Sequence, residues 1–141
     1  TALQTLGSGQ LNGPRGVALD VAADIALVAD KNNHRLQVFC LSDGTALQTL
    51  GSGQLNGPRG VALDVAADIV LVAEVNNHRL QVFRLSDGTA LRTLGSGPGS
   101  ALGQLAFPYG VALDVAANIA LVADCDNDRV QVFNLWRQGP R

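Results

Sequence analysis

The chain holds 141 residues and 14.6 kDa, room for one ordinary domain or a few copies of a smaller unit, which excludes most multi-domain enzymes. Ten basic and twelve acidic residues leave a formal charge of -2, so no strong field singles out nucleic acid or a membrane surface as the partner. Charged residues make up 16% against roughly 25% in ordinary soluble proteins, and 47% are apolar, which points to a surface partly destined to be covered. Gly, Asp or Arg interrupts every apolar stretch before the ~18 residues of a membrane helix, so no membrane partner is expected. At Thr1 there is neither an initiator Met nor a basic-then-apolar leader, and an internal start is expected.

Residues 1–44 and 45–88 match at every position except Ala26/Val70, Asp30/Glu74, Lys31/Val75 and Cys40/Arg84. A third copy begins at Thr89 and runs to about Gln138, with six extra residues, Pro98 to Gly103, inserted before the QLAFP stretch. The 1–141 segment is therefore one domain of three repeats, 1–44, 45–88 and 89–138. Within the first unit, Gly16 to Asp20, Ile25 to Asp30, Arg35 to Leu41 and Thr45 to Leu50 read as four strands punctuated by Gly, Asn, Asp and Pro. The VAAD, KNNH and SDG links are short enough to pair consecutive strands as an antiparallel meander. Ile25 to Ala29 is apolar on both faces, the pattern of a sheet covered front and back. Ala, Gly and Val stand where bulky aromatics fill many all-β cores, which predicts close approach near a crowded axis. Radially stacked four-stranded sheets form a β-propeller.

Three linked motifs carry a family resemblance. They are Pro14-Arg15-Gly16-Val17-Ala18-Leu19-Asp20, Val28-Ala29-Asp30, and Asn32-Asn33-His34-Arg35-Leu36-Gln37-Val38-Phe39. They recur at Pro58 to Asp64, Val72 to Glu74 and Asn76 to Phe83, and again at Pro108 to Asp114, Val122 to Asp124 and Asp126 to Phe133. This pattern resembles the NHL-repeat family over essentially the whole chain. Glu74 for Asp, and Asp126 and Asp128 for an Asn and a His, are the departures. The resemblance implies an all-β fold of three four-stranded antiparallel blades, a partial propeller of about half a six-bladed ring, with ligands recognised on loops around a central channel.

Three blades leave a ring unfinished. The chain starts with an outer-strand sequence, Thr1 to Leu6, and reaches Asn134-Leu135 after the third strand of its last blade, so one strand is spare at one end and missing at the other. Four strands ~4.8 Å apart and about five residues long present a flat face of roughly 300 Å². At ~25 cal/mol per Å², leaving it wet forfeits on the order of 8 kcal/mol. Closure is expected either by self-association of two copies, a dimer, or by missing blades of a longer polypeptide.

In an up-and-down blade, the loop leading into the inner strand and the loop between strands two and three emerge at one end. That end carries Arg15, Lys31, Asn33 and His34 from the first repeat and Arg59, Asn77 and His78 from the second. The third contributes Phe107 and Tyr109 beside the inserted loop. The opposite end carries Asp24, Asp43, Asp68 and Asp87. Arg15 and Arg59 are placed to grip a carboxylate or phosphate near the channel mouth, and Phe107 and Tyr109 to anchor a partner. Together Arg15, Asn33, His34, Arg59, Asn77, His78, Phe107 and Tyr109 form the candidate binding face.

His34 and His78 are equivalent turn residues a blade apart, without a third ligand, so no metal or other cofactor is expected. Asp30/Arg35, Glu74/Arg79 and Asp124/Arg129 flank one turn in each repeat and read as cross-turn ion pairs or carboxylates accepting turn hydrogen bonds. Asp20, Asp64 and Asp114 read as turn caps. Cys40 and Cys125 occupy different places in their repeats and read as free thiols, which leans towards an intracellular setting. GSGPGS joins two strands and opens no helix, so it lacks a P-loop's phosphate cradle. The reading is a non-catalytic scaffold for protein or peptide partners. RNA binding, known for some NHL domains, is the alternative, with Arg15, Arg59, Lys31 and Tyr109 contributing. A metal-dependent lyase or lactonase-like propeller ranks behind it, because the inner strand offers Val17, Ala18 and Leu19 where a cation site needs carboxylates and His.

Overall fold

The computed structural model describes residues 1–136, so the expected end of the third repeat at Gln138 lies outside the described residues. Pro14–Asp20 (β1), Ile25–Asp30 (β2), Arg35–Cys40 (β3) and Ala46–Leu50 (β4) form one antiparallel sheet in chain order. Pro58–Asp64 (β5), Ile69–Glu74 (β6), Arg79–Arg84 (β7) and Ala90–Leu94 (β8) repeat it. Pro108–Asp114 (β9), Ile119–Asp124 (β10) and Arg129–Asn134 (β11) make the third sheet, which has three strands among the described residues. Among the described residues that blade has no outer strand, in keeping with the offset in the sequence.

Turn chemistry sets these strands. The Asp20, Asp64 and Asp114 carboxylates each accept the backbone N–H three residues on, at 2.9, 3.0 and 3.0 Å, and close the first turn of each blade. Asp24, Asp68 and Asn118 then turn the chain with φ near 60°, a left-handed conformation that Asp and Asn tolerate. His34, His78 and Asp128 do the same between the second and third strands.

The sheets stack as wedges, with β1 lying against β5 and β5 against β9. Leu36, Val38, Val61 and Val72 belong to the core between the first two blades, and Leu80, Val82, Ala120 and Val122 to the core between the second and third. Near the axis the inner strands approach so closely that a Cβ on Gly16 would lie 2.2 Å from the Arg59 carbonyl oxygen, and one on Gly60 2.0 Å from that of Tyr109. Only glycine fits there. Gly110, the third member of the series, meets nothing within 4 Å among the described residues, where no blade packs against β9 on that side.

Both ends of the arc are bare. Val17 is 71% exposed, whereas its repeat counterpart Val61 is 8% exposed against the first blade. Val132 is 62% exposed and its counterpart Val82 fully buried. Thr1 to Leu6 departs from its strand-like sequence and adopts no strand pairing. The physical reason is that the outer edge of β3 is already taken by β4, and β11, the next edge of that kind, lies two blades away.

Candidate functional site

Loops leading into the inner strands and turns between the second and third strands meet at one end of the blades, as the meander requires. Three buried carboxylates hold that end together. Asp30 accepts the Asn12 N–H at 2.7 Å, the Asn33 side-chain amide at 2.9 Å and the Arg35 Nε at 2.8 Å. Glu74 accepts from Asn56 N–H, Asn77 and Arg79 in the same arrangement, its longer side chain reaching the same donors. Asp124 takes Ala106 N–H at 2.7 Å, Asn127 at 2.9 Å and Arg129 at 2.8 Å. All three acids have no exposed surface. Burial pushes the Asp30 carboxyl up, but the Asn12 N–H, Asn33 and Arg35 outweigh it and leave its pKa below the ordinary 3.8. The same balance, with Ala106, Asn127 and Arg129 as donors, lowers Asp124. These acids serve as cross-turn ion pairs and as hydrogen-bond acceptors at once, and each pins a loop to its blade.

Those contacts sort the candidate binding residues. Asn33 and Asn77 direct their amides inward to the buried acids. His34 Nδ1 accepts the Gly57 N–H and His78 Nδ1 the Phe107 N–H, both at 3.0 Å, so each histidine joins its blade to the next. Phe107 meets the His78 ring edge-on, with centroids 4.6 Å apart. It also adopts a φ of 54° where the other two repeats place Gly13 and Gly57. A bulky side chain held in the left-handed region stores strain. The inserted loop packs beside it: Arg129 donates to the Ser100, Ala101 and Gln104 carbonyls, Asn127 to that of Gly99, and Leu102 at its tip stands exposed.

Arg15, Arg59 and Tyr109 converge. With Gly16, Gly60 and Gly110 they line a cavity of about 240 Å³ at the head of the inner strands. The Arg59 guanidinium lies 3.8 Å from the Tyr109 ring centre, a cation–π contact that fixes both side chains beside the opening. Sequence reading named the arginines and the tyrosine but missed the glycine floor, whose signal was the invariance of Gly16, Gly60 and Gly110 across the three repeats.

At the other end, Asp24 and Asp68 accept from Ser42 and Ser86, and Asp43 and Asp87 accept the N–H of Thr45 and Thr89. The Thr89 N–H, followed by Arg84, brings Asp87 down to about 2. That acidic end is occupied with its own turns. Cys40 and Cys125 are both free thiols. Among the described residues, no group of three or more His, Cys, Asp or Glu side chains is placed to hold a metal ion, and no helix is long and apolar enough to cross a membrane.

The family model of the NHL repeat matches residues 11–39 and 55–83, which span the inner three strands of the first two blades with the loop that pins them. Two of the three units thus match the NHL repeat. The third NHL-like unit, with its insertion and altered turn, keeps the same strand order. No curated protein sequence matches the chain. A chain in a crystal structure of a nidogen/laminin complex superposes with a TM-score of 0.72 at 25% identity, covering 89% of this chain and 45% of that one. The hydrazine synthase of Kuenenia stuttgartiensis superposes with a TM-score of 0.72 at 13% identity, over 95% of this chain and 35% of that one, and so shares the fold. This chain spans less than half the length of either. The NHL β-propeller architecture supports a binding or scaffold module in general.

Proposed function

We propose that the protein is a non-catalytic binding scaffold that holds a protein or peptide partner on the loop end of its blades. The convergence of Arg15, Arg59 and Tyr109 on one cavity carries this reading. Their neighbours Asn33, Asn77, His34 and His78 are engaged in holding the loops, which leaves the two guanidiniums and the ring to meet a partner. Arginine and tyrosine are the residues most often found at energetic centres of interfaces, and paired guanidiniums suit a carboxylate-bearing peptide. Phe107 and the exposed Leu102 add apolar contact at the rim. A protein partner also suits the likeness to a chain from the nidogen/laminin complex.

The scaffold is completed when the bare faces of its end blades are covered, by self-association or by further blades. The test of the binding face is a displayed peptide library panned against the protein, with selected peptides measured by fluorescence anisotropy. Acidic peptides are expected, and the double substitution Arg15→Ala/Arg59→Ala should weaken them by about tenfold or more. Peptides that bind the double variant unchanged, or preferential salt-sensitive binding of single-stranded RNA, would overturn this reading.

A further inference from the structure

The first six residues lie in a position that their lack of strand pairing conceals. Gln48, in β4, reaches across to the next blade and donates from Nε2 to the Leu85 carbonyl at 2.7 Å. Gln4, its counterpart in the preceding repeat, donates from Nε2 to the Leu41 carbonyl at 2.6 Å, and Leu41 is the counterpart of Leu85. Leu6 and Leu50 likewise lie beside Gly44 and Gly88. Thr1 to Leu6 therefore sits on the first blade as β4 sits on the second. It occupies the outer-strand place of a preceding blade whose other three strands this chain does not supply at that end.

Three strands in need of an outer strand are what the opposite end offers. The sheet of β9, β10 and β11 lacks its fourth strand among the described residues. Its bare face matches the bare face of the first blade by the contacts seen at the internal junctions. Gly110 leaves room for a carbonyl as Gly16 and Gly60 do for those of Arg59 and Tyr109, and Arg15 holds the equivalent carbonyl. Asp128 stands where His34 and His78 accept the N–H of Gly57 and Phe107, and Gly13 is the equivalent donor. Val132 and Val17 are the exposed counterparts of the buried Val82 and Val61.

We infer that two copies of this chain close one six-bladed ring by exchanging their first strands, Thr1 to Leu6 of each copy pairing with β11 of the other. The register follows from β3 and β4, where Leu36, Gln37 and Val38 oppose Leu50, Thr49 and Gln48. Val130 then opposes Leu6, Gln131 opposes Thr5, and Val132 opposes Gln4. For this pairing the Gln131 amide leaves the Gln104 carbonyl, which it now contacts at 2.7 Å, for the incoming strand, as Gln37 serves Gln48. Two junctions of two faces each, at roughly 300 Å² a face, cover about 1,200 Å², the lower bound of a stable specific interface. The two junctions are related by a twofold axis, so the assembly is closed.

This inference rests on the reading that the bare faces are covered. Sedimentation equilibrium of the chain at micromolar concentration should give the mass of two copies. Val17→Asp, at an exposed position that leaves the single chain's core untouched, should return the mass of one. In a Cys40→Ser/Cys125→Ser background, Thr5→Cys with Gln131→Cys should form disulfides between chains on mild oxidation, because the equivalent Thr49 and Gln37 are directly opposed across β3 and β4. A folded single copy at these concentrations would overturn both the exchange and the covered faces. A larger particle of another stoichiometry, or a folded two-copy particle without the interchain disulfide, would overturn the exchange alone.

Discussion

A carboxylate with no exposed surface keeps its charge only where donors surround it, and Asp30, Glu74 and Asp124 each have three or more. Removing one leaves an arginine and a loop N–H without their acceptor. Asp30→Ala should therefore lower unfolding free energy by about 2–4 kcal/mol in a urea titration. The pH dependence has a definite sign. Asp30 and Asp124 have folded pKa values below the unfolded 3.8, so the folded state binds fewer protons. Their stabilisation is complete above that value and is lost as pH falls through the lower folded values. Urea midpoints should hold steady from about pH 6 to about pH 5 and then drop in acid, less steeply in Asp30→Asn/Asp124→Asn. Phe107 poses a different balance, between a strained backbone and its contact with His78. Phe107→Ala keeps the strain and loses the ring, whereas Phe107→Gly loses the ring but relieves the strain, so the glycine variant should be the more stable of the two by about 1 kcal/mol.

One sequence in two environments gives the sharpest comparison between elements. β1 and β5 share the sequence PRGVALD, yet only β5 has a blade on each side. Val61→Asp places a charge in a closed core and should cost at least ~3 kcal/mol, while Val17→Asp should change the stability of the dilute single chain by no more than ~0.5 kcal/mol. Glycines make the same point. Gly60→Ala meets the Tyr109 carbonyl and should destabilise by several kcal/mol, on the order of a large core defect. Gly110→Ala should be nearly silent in that dilute chain, as denaturant titrations of the pair would show. Strand existence, order and turn positions were legible in the sequence because Asp, Asn and Gly mark each reversal at a fixed offset. Thr1 to Leu6 was legible as a spare outer strand, but what it packs on was not, because a strand also needs an unpaired edge, and edge availability is a property of the stack. The inward turning of Asn33, Asn77, His34 and His78 was equally hidden, since it depends on which neighbouring blade supplies the N–H or carboxylate.

For the whole molecule, the two bare faces decide the energetics. Each flat face left wet forfeits on the order of 8 kcal/mol, comparable with the roughly 5–15 kcal/mol that holds an ordinary domain together. Covering them by association links folding to mass action, so the midpoint of thermal unfolding should rise with protein concentration, and scanning calorimetry over a hundredfold dilution series would detect it. Concentration-independent unfolding would mean that the open arc is self-sufficient.

The cation–π pair at the cavity has a last consequence. Once the ring is closed around a twofold axis, the mouth presents four guanidiniums and two phenol rings to a single central space, each half facing its rotated image. An occupant on that axis is shared, one molecule to two chains, and unless it is itself symmetric it settles equally well in two orientations half a turn apart.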